Sequence, residues 1–240
     1  MSIINALKME IIKLRKTGFW ILQLVLIIGV SLLLDGYFVL YSGRDVVSRV
    51  KLIYEFMGLL IPVFASVTVA FLLKMEEQIS SMYLLLGVQK RSRVMIAILM
   101  LSWMGCVAQI VVQTISLLIL GVRSPEMIKL LLVMDLGTII LSLFFYGFHI
   151  FIHLKFGIGI SLFFGVFECM QMVMYSNIVM KGNFRFIPFA WIMEWKTGVF
   201  NGDIKEQSGF WIICLILLAF SLGLFFMWFE HWEGKKNYGE

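Results

Sequence analysis

The sequence predicts an all-α membrane protein. It reads as six transmembrane helices, an amphipathic helix ahead of the first, a cytoplasmic amphipathic helix between the second and third, and an outer re-entrant segment between the fifth and sixth. Three observations predict this. Hydrophobic residues make up 61% of the 240 and charged residues 15%, against roughly 45–50% and about 25% in soluble domains. The mean hydropathy is +0.95. Apolar runs recur at the length a helix of about 20 residues needs to cross the hydrocarbon core. Such runs are helical, because an isolated strand leaves its backbone unsatisfied in lipid and a barrel would show short alternating segments.

The spans fall at about 18–41, 52–73, 94–120, 128–152, 156–180 and 209–229, within one transmembrane domain covering 1–240. Between the fourth and fifth, only His153–Lys155 interrupts a nearly continuous apolar run. Cys106, Cys169 and Cys214 all lie inside apolar runs, with no C-x-x-C, and read as small buried hydrophobes. The first run is too long for a cleavable signal peptide and no A-x-A-like site follows it.

Orientation follows the basic residues. With both termini in the cytoplasm, the inner side carries Lys8, Lys13, Arg15, Lys16, Lys74, Lys90, Arg91, Arg93, Lys155, Lys235 and Lys236, eleven of the 20. Four of these flank the first helix, which often dominates topology. The net charge of +5 is explained by these membrane flanks and calls for no nucleic-acid partner.

Ahead of the first span, residues 2–17 read SIINALKMEIIKLRKT. Ile4, Leu7, Ile11 and Leu14 form one apolar stripe, while Asn5, Lys8, Lys13 and Lys16 occupy the other side. That is the pattern of a basic helix lying in the membrane interface.

The connector after the second span, KMEEQISSMYLLLGVQKRSR (74–93), predicts a helix of its own over 75–87. Met75, Ile79, Met82, Tyr83 and Leu86 share one face. Glu76 and Glu77 would sit in its first turn, and Lys90, Arg91 and Arg93 would follow its end, each where the helix dipole favours that charge. Gly87 is placed to stop it. The acidic start suits a protein groove better than an anionic lipid surface. The last connector, 181–208, is dense in Phe184, Phe186, Phe189, Trp191, Trp195 and Phe200. It predicts one or two short interfacial or re-entrant helices, bent at Pro188, since aromatics gather at headgroup level.

The chain has no G-x-x-x-x-G-K-[ST] and no sizeable soluble domain, so energised work would need another subunit. An enzyme reading rests on HIFIH, which places His149 and His153 one turn apart. With Phe145 at F-x-x-x-H and with Glu76-Glu77, it is similar to the pattern of Abi-type intramembrane metalloproteases. The pattern breaks at Ser81, where it requires Arg, and the glutamates lie in a connector rather than a span. Gly159-Ile160-Ser161 lacks the second Gly of a nucleophile elbow. No catalytic or metal-ligating residue is therefore expected.

Three acids lie within spans, where an unpaired charge costs about 2.5–3.5 kcal/mol at the bilayer centre. Glu168, near the middle of the fifth span, is expected to be protonated, paired or facing a partner or path. Gln109, Gln113 and Gln171 are expected as hydrogen-bonding residues between helices or along that path. Asp35 and Asp135 fall towards the outer face, where they would snorkel, pair with an arginine such as Arg44, or join Phe189, Trp191 and Trp195 in contacting a substrate.

The chain resembles the six-span permeases of type-2 ATP-binding-cassette exporters. Within them it looks most like the small permeases of lantibiotic self-immunity transporters. Glu10-Ile11-Ile12-Lys13-Leu14-Arg15-Lys16-Thr17 is similar to that group's E-x-x-K-x-[KR]-[KR]-[ST] opening. Glu76-Glu77-Gln78, followed by Leu84-Leu85-Leu86 and Arg91, is similar to its coupling segment. The resemblance implies an elbow helix at 2–17, a coupling helix at 75–87 and a place in the bacterial plasma membrane. It implies a partnership with an ATPase subunit that carries ATP and Mg, with a second permease, and with a cationic antimicrobial peptide as cargo. Glu76, Glu77, Gln78, Met82, Tyr83, Leu85 and Leu86 would be the residues that engage the ATPase. The alternatives are an intramembrane metalloprotease of the Abi type and a non-catalytic membrane anchor or receptor.

Overall fold

The computed structural model describes residues 3–15, 17–80, 91–177, 186–202 and 208–234. The helices are α1 (Ile3–Leu14), α2 (Phe19–Leu40), α3 (Val46–Ser80), α4 (Arg91–Ile119), α5 (Pro125–Phe156), α6 (Ile158–Asn177), α7 (Trp191–Asn201) and α8 (Ser208–Glu230). A 3-10 turn at Pro188–Ala190 leads into α7. Among the described residues six helices, α2 to α6 and α8, are long and apolar enough to cross a membrane, and no strand is present. This is an all-α, multi-pass membrane fold.

The spans divide into two classes. About half or more of the apolar window of α3, α4 and α5 is buried, against 22% for α2, α6 and α8. The first three form the centre of the bundle, and α3 and α5 are packed by most of the other elements. The outer three show broad apolar faces, such as Leu24, Leu32 and Leu33 on α2 and Phe163, Val166 and Met170 on α6. In lipid such faces gain little from leaving the surroundings, so polar contacts and close packing must hold these helices. For α2 they do so along its length. The Gln23 amide donates to Thr68 Oγ1 (3.2 Å), the Gln109 amide to Ser31 Oγ (3.2 Å) and the Gln113 amide to Asp35 Oδ1 (2.9 Å).

Two helix ends are set locally. Ser124 caps α5 by accepting the Met127 N–H at 3.3 Å, with Pro125 at the first helical position. The interruption expected at His153–Lys155 falls at Gly157, which ends α5 at φ 96°. That left-handed conformation is open to glycine and strained for other residues. One residue thus separates α5 from α6.

The helix start expected at residue 75 is not there. α3 runs unbroken from Val46 through Ser80, so Glu76 and Glu77 lie near its C-terminal end rather than in a first turn. Lys74 to Gln78 are mostly good helix formers and contain no breaker, so the charge that ends the hydrocarbon span does not end the helix. Residues 81–90, with Met82, Tyr83, Leu85 and Leu86, lie outside the described residues, as does most of 181–187.

The N-terminal helix is oriented differently from its apolar stripe. Ala6, Glu10 and Leu14 are buried, whereas Ile3, Ile4, Ile11 and Ile12 are exposed. α1 packs on α4, leaving its isoleucines for the surroundings and turning a glutamate inward.

Candidate functional site

Charged side chains gather at two levels, one at each end of α3. At the end near the chain's termini, Lys13 holds two acids. Its ammonium donates to Glu10 Oε1 at 2.8 Å and to both Glu76 oxygens at 3.0 and 3.1 Å. Glu10 is 2% and Glu76 3% exposed. One turn of α1 places Lys13 beside Glu10 on the helix flank that meets α3. A buried carboxylate survives only when a cation and hydrogen bonds replace its water. Burial holds the Glu10 carboxyl above its ordinary value, although the Lys13 hydrogen bond and charge pull it down. The two segments that carry the family resemblance thus meet at this clasp. Glu77 and Gln78 lie on the exposed side of the same turn.

At the opposite end, α7 lies against α3 and α5. Lys196 on α7 is 2% exposed and its ammonium donates to Glu55 of α3 at 2.5 Å. Burial lowers the Lys196 pKa and the Glu55 carboxylate opposes that shift. Trp191 and Trp195, expected as outer contacts, are core residues instead. Trp191 has no exposed surface, and the Trp195 indole N–H donates to the Met134 carbonyl at 3.4 Å. A buried Trp seeks such an acceptor. Phe189 packs on Phe144, Phe145 and Phe148 with ring centroids 5.6–6.4 Å apart.

Asp35 and Asp135 also turn inward. Asp35 accepts the Gln113 amide and the Ser116 hydroxyl. The expected partner Arg44 stacks over Tyr41, 5.7 Å from the ring centroid. Asp135 accepts the Tyr54 and Thr114 hydroxyls, each at 2.6 Å, and is buried among α3, α4 and α5. Tyr54→Phe is expected to remove one of two donors from this acid. The loss is about 1–3 kcal/mol, read as a lower unfolding temperature in detergent, with Thr114→Val similar. An unchanged Tyr54→Phe protein would mean that Asp135 does not depend on that bond.

The middle of the bundle holds the third cluster. α6 buries a narrow face of Ser161, Gly165, Glu168 and Met172, at i, i+4, i+7 and i+11. Gly165 lets α6 approach α3 closely, because a Cβ there would collide with Ser66 and come within 3.1 Å of the Pro62 carbonyl. The approach brings Glu168 to His149 of α5. His149 Nε2 lies 3.2 Å from Glu168 Oε2, and Nδ1 lies 3.2 Å from Ser161 Oγ. The two ring nitrogens thus engage two different residues of α6, one a hydroxyl and one a carboxyl group. Among the described residues Glu168 Oε1 has no hydrogen-bond partner.

This cluster takes in two residues singled out in the sequence. Glu168 is paired within its own chain. His149, considered there as a metal ligand, has both ring nitrogens engaged, and His153 is buried on the same helix. Among the described residues no three His, Cys, Asp or Glu side chains are grouped to hold a metal. Ser161, His149 and Glu168 have no exposed surface. Gln109 and Gln113 bind α2 to α4, and Gln171 is half-buried on α6.

The pairings that sequence reasoning missed are Lys13 with Glu76 and Lys196 with Glu55. Their partners lie 63 and 141 residues apart. The one local signal was Glu10, an acid four residues from both Ala6 and Leu14 on what proves to be the buried side of α1. No family model, curated protein or solved structure matches the chain.

Proposed function

We propose that the chain is the membrane-spanning permease subunit of an ATP-driven ABC exporter in the bacterial plasma membrane, with both termini cytoplasmic. It works with a separate ATPase subunit, which holds ATP and Mg, and with a second permease. Its cargo is a cationic antimicrobial peptide, expelled to confer immunity or resistance. The observation that carries this reading is the Lys13 clasp, which ties the E-x-x-K opening to Glu76 at the start of the segment similar to a coupling helix. A subunit driven by an external motor needs such a place, where a push on one connector reaches more than one helix.

α3 continues directly towards the connector, so a displacement at 81–90 would act on a span that crosses the whole bundle. An amphipathic connector of this kind docks by its apolar side chains. The proton positions at His149 and Glu168 have no part in this reading, because the energy enters from the ATPase.

The test is a pull-down of the tagged chain from its own host, with ATP hydrolysis measured on the complex. An ATPase should co-purify, and peptide should change its rate. Glu77→Ala and Leu85→Ala should reach the membrane at normal levels while peptide protection falls at least tenfold. Protection that survives both changes defeats the coupling reading. A complex whose ATP hydrolysis is indifferent to this chain indicates an anchor.

A further inference from the structure

A groove lies between α5 and α8, and its lining includes no member of the Lys13, Lys196 or His149 clusters. Its cavity is about 410 Å³, within the ~300–1,000 Å³ of ligand sites. Phe148 and Phe151 of α5 and Phe225 and Trp228 of α8 form the walls, with Gly147 and Ser221 leaving room between them. Ser221 donates its hydroxyl to the Leu218 carbonyl at 2.9 Å, so it offers the groove no hydrogen. The rings interlock at the edge: Phe151 and Trp228 meet with centroids 4.9 Å apart. An occupant must be almost wholly apolar along this length.

At one end the character changes. One turn beyond Phe151, the Lys155 ammonium lies 5.4 Å from the Phe151 ring centroid and 5.2 Å from that of Phe156. Lys155 is exposed, and among the described residues no carboxylate lies within ion-pair distance of it. A second cation stands at the same end of α8, where Arg91 donates to the Trp232 carbonyl at 2.6 Å. Of the acids there, Glu230 accepts the Ser92 N–H at 3.0 Å and Glu233 is exposed beyond it. From Phe144, the deepest wall residue on α5, to Lys155 is about 16 Å along the helix at 1.5 Å per residue. Half of a ~30 Å hydrocarbon core is about 15 Å. The groove lining on α5 ends at Phe151, about 10 Å along the helix from Phe144, and the distance from Phe144 on to Lys155 matches the depth of one leaflet, which would put the cation at headgroup height.

We infer that this groove is a binding site for an anionic phospholipid of the leaflet on the side of the chain's termini, with an acyl chain between the rings and the phosphate at Lys155. The aromatic walls select hydrocarbon, and the exposed ammonium, held beside two rings with no carboxylate in ion-pair distance among the described residues, selects a net negative headgroup over a zwitterionic one. The assignment does not depend on the transport reading.

The test is native mass spectrometry of the full chain in detergent, titrated with phosphatidylglycerol and phosphatidylcholine of the same acyl composition. The wild type should retain phosphatidylglycerol preferentially. Lys155→Glu should reduce that preference at least fivefold, since one basic residue near a membrane surface contributes about 1 kcal/mol. Ser221→Trp fills the groove and should reduce retention of both lipids. Leu224→Trp, on the exposed rim, is the second filling variant should the first not fold. Equal retention of the two lipids by the wild type overturns the assignment. So does a preference untouched by Lys155→Glu, or one untouched by a folded groove-filling variant. Retention that depends on the groove but not on headgroup charge identifies a neutral occupant and also overturns it.

Discussion

Lys13→Met is expected to destabilise the protein by about 3–5 kcal/mol, the usual consequence of removing one member of a buried ion pair. The variant takes the Lys13 ammonium away from two buried carboxyl groups, Glu10 and Glu76. Lys13→Arg, which keeps the charge, should retain most of the stability. The deficit should also depend on pH. Burial, the largest influence, raises the Glu10 pKa above its ordinary 4.5; Lys13 opposes this and Glu76 adds to it. Between 4.5 and that raised pKa the folded state holds a proton that the unfolded chain has released, so stability falls as pH rises through the window. Losing Lys13 removes the opposing influence and widens the window. Thermal unfolding in one detergent should therefore show a larger deficit at pH 8 than at pH 5. A Lys13→Met protein as stable as wild type at pH 8 would mean that the clasp contributes nothing.

Glu55→Leu is expected to have an effect of the same order, about 3–5 kcal/mol, and to be asymmetric with its partner. It strands the Lys196 ammonium, which is 2% exposed. Lys196→Met strands only Glu55, whose side chain is 32% exposed and can recover water. The lysine change should therefore be the milder, and Glu55→Leu with Lys196→Met should resemble it rather than the sum. The pH dependence runs opposite to that at Lys13. Burial, and to a smaller extent the Lys51 charge, lowers the Lys196 pKa below 10.5 against the pull of Glu55. Just below 10.5 the unfolded chain binds the proton that the folded state has shed, so stability rises with pH there. Removing Glu55 extends that window downward, and the deficit should shrink as pH approaches 10. Equal losses from the two single variants would remove the basis for the asymmetry.

Hydropathy located the spans well because lipid imposes it along tens of residues. The span expected at 18–41 is α2 at Phe19–Leu40, and that expected at 209–229 is α8 at Ser208–Glu230. It failed at the end of α3, where Lys74 marks the limit of the hydrocarbon but not of the backbone hydrogen bonds. It did not reveal that Trp191 and Trp195 are buried. Aromatic residues near a membrane surface look alike in sequence whether they face headgroups or a carbonyl such as that of Met134. Ion-pair partners were the least legible part. A lone acid in an apolar helix announces that it needs a partner, as Glu168 did, but not that the partner is His149. Such choices depend on which helices are neighbours, and that follows from packing at small residues such as Gly165.

The unbroken course of α3 has a mechanical consequence. From Glu55 to Glu76 is 21 residues of one helix, about 32 Å at 1.5 Å per residue. The helix therefore behaves as a strut with an ionic joint at each end, fastened by Lys196 on one side and Lys13 on the other. Pro62, which lacks a backbone N–H, interrupts the ladder of backbone hydrogen bonds within that length. A twist applied beyond Ser80 would reach the far joint with little loss except at that residue.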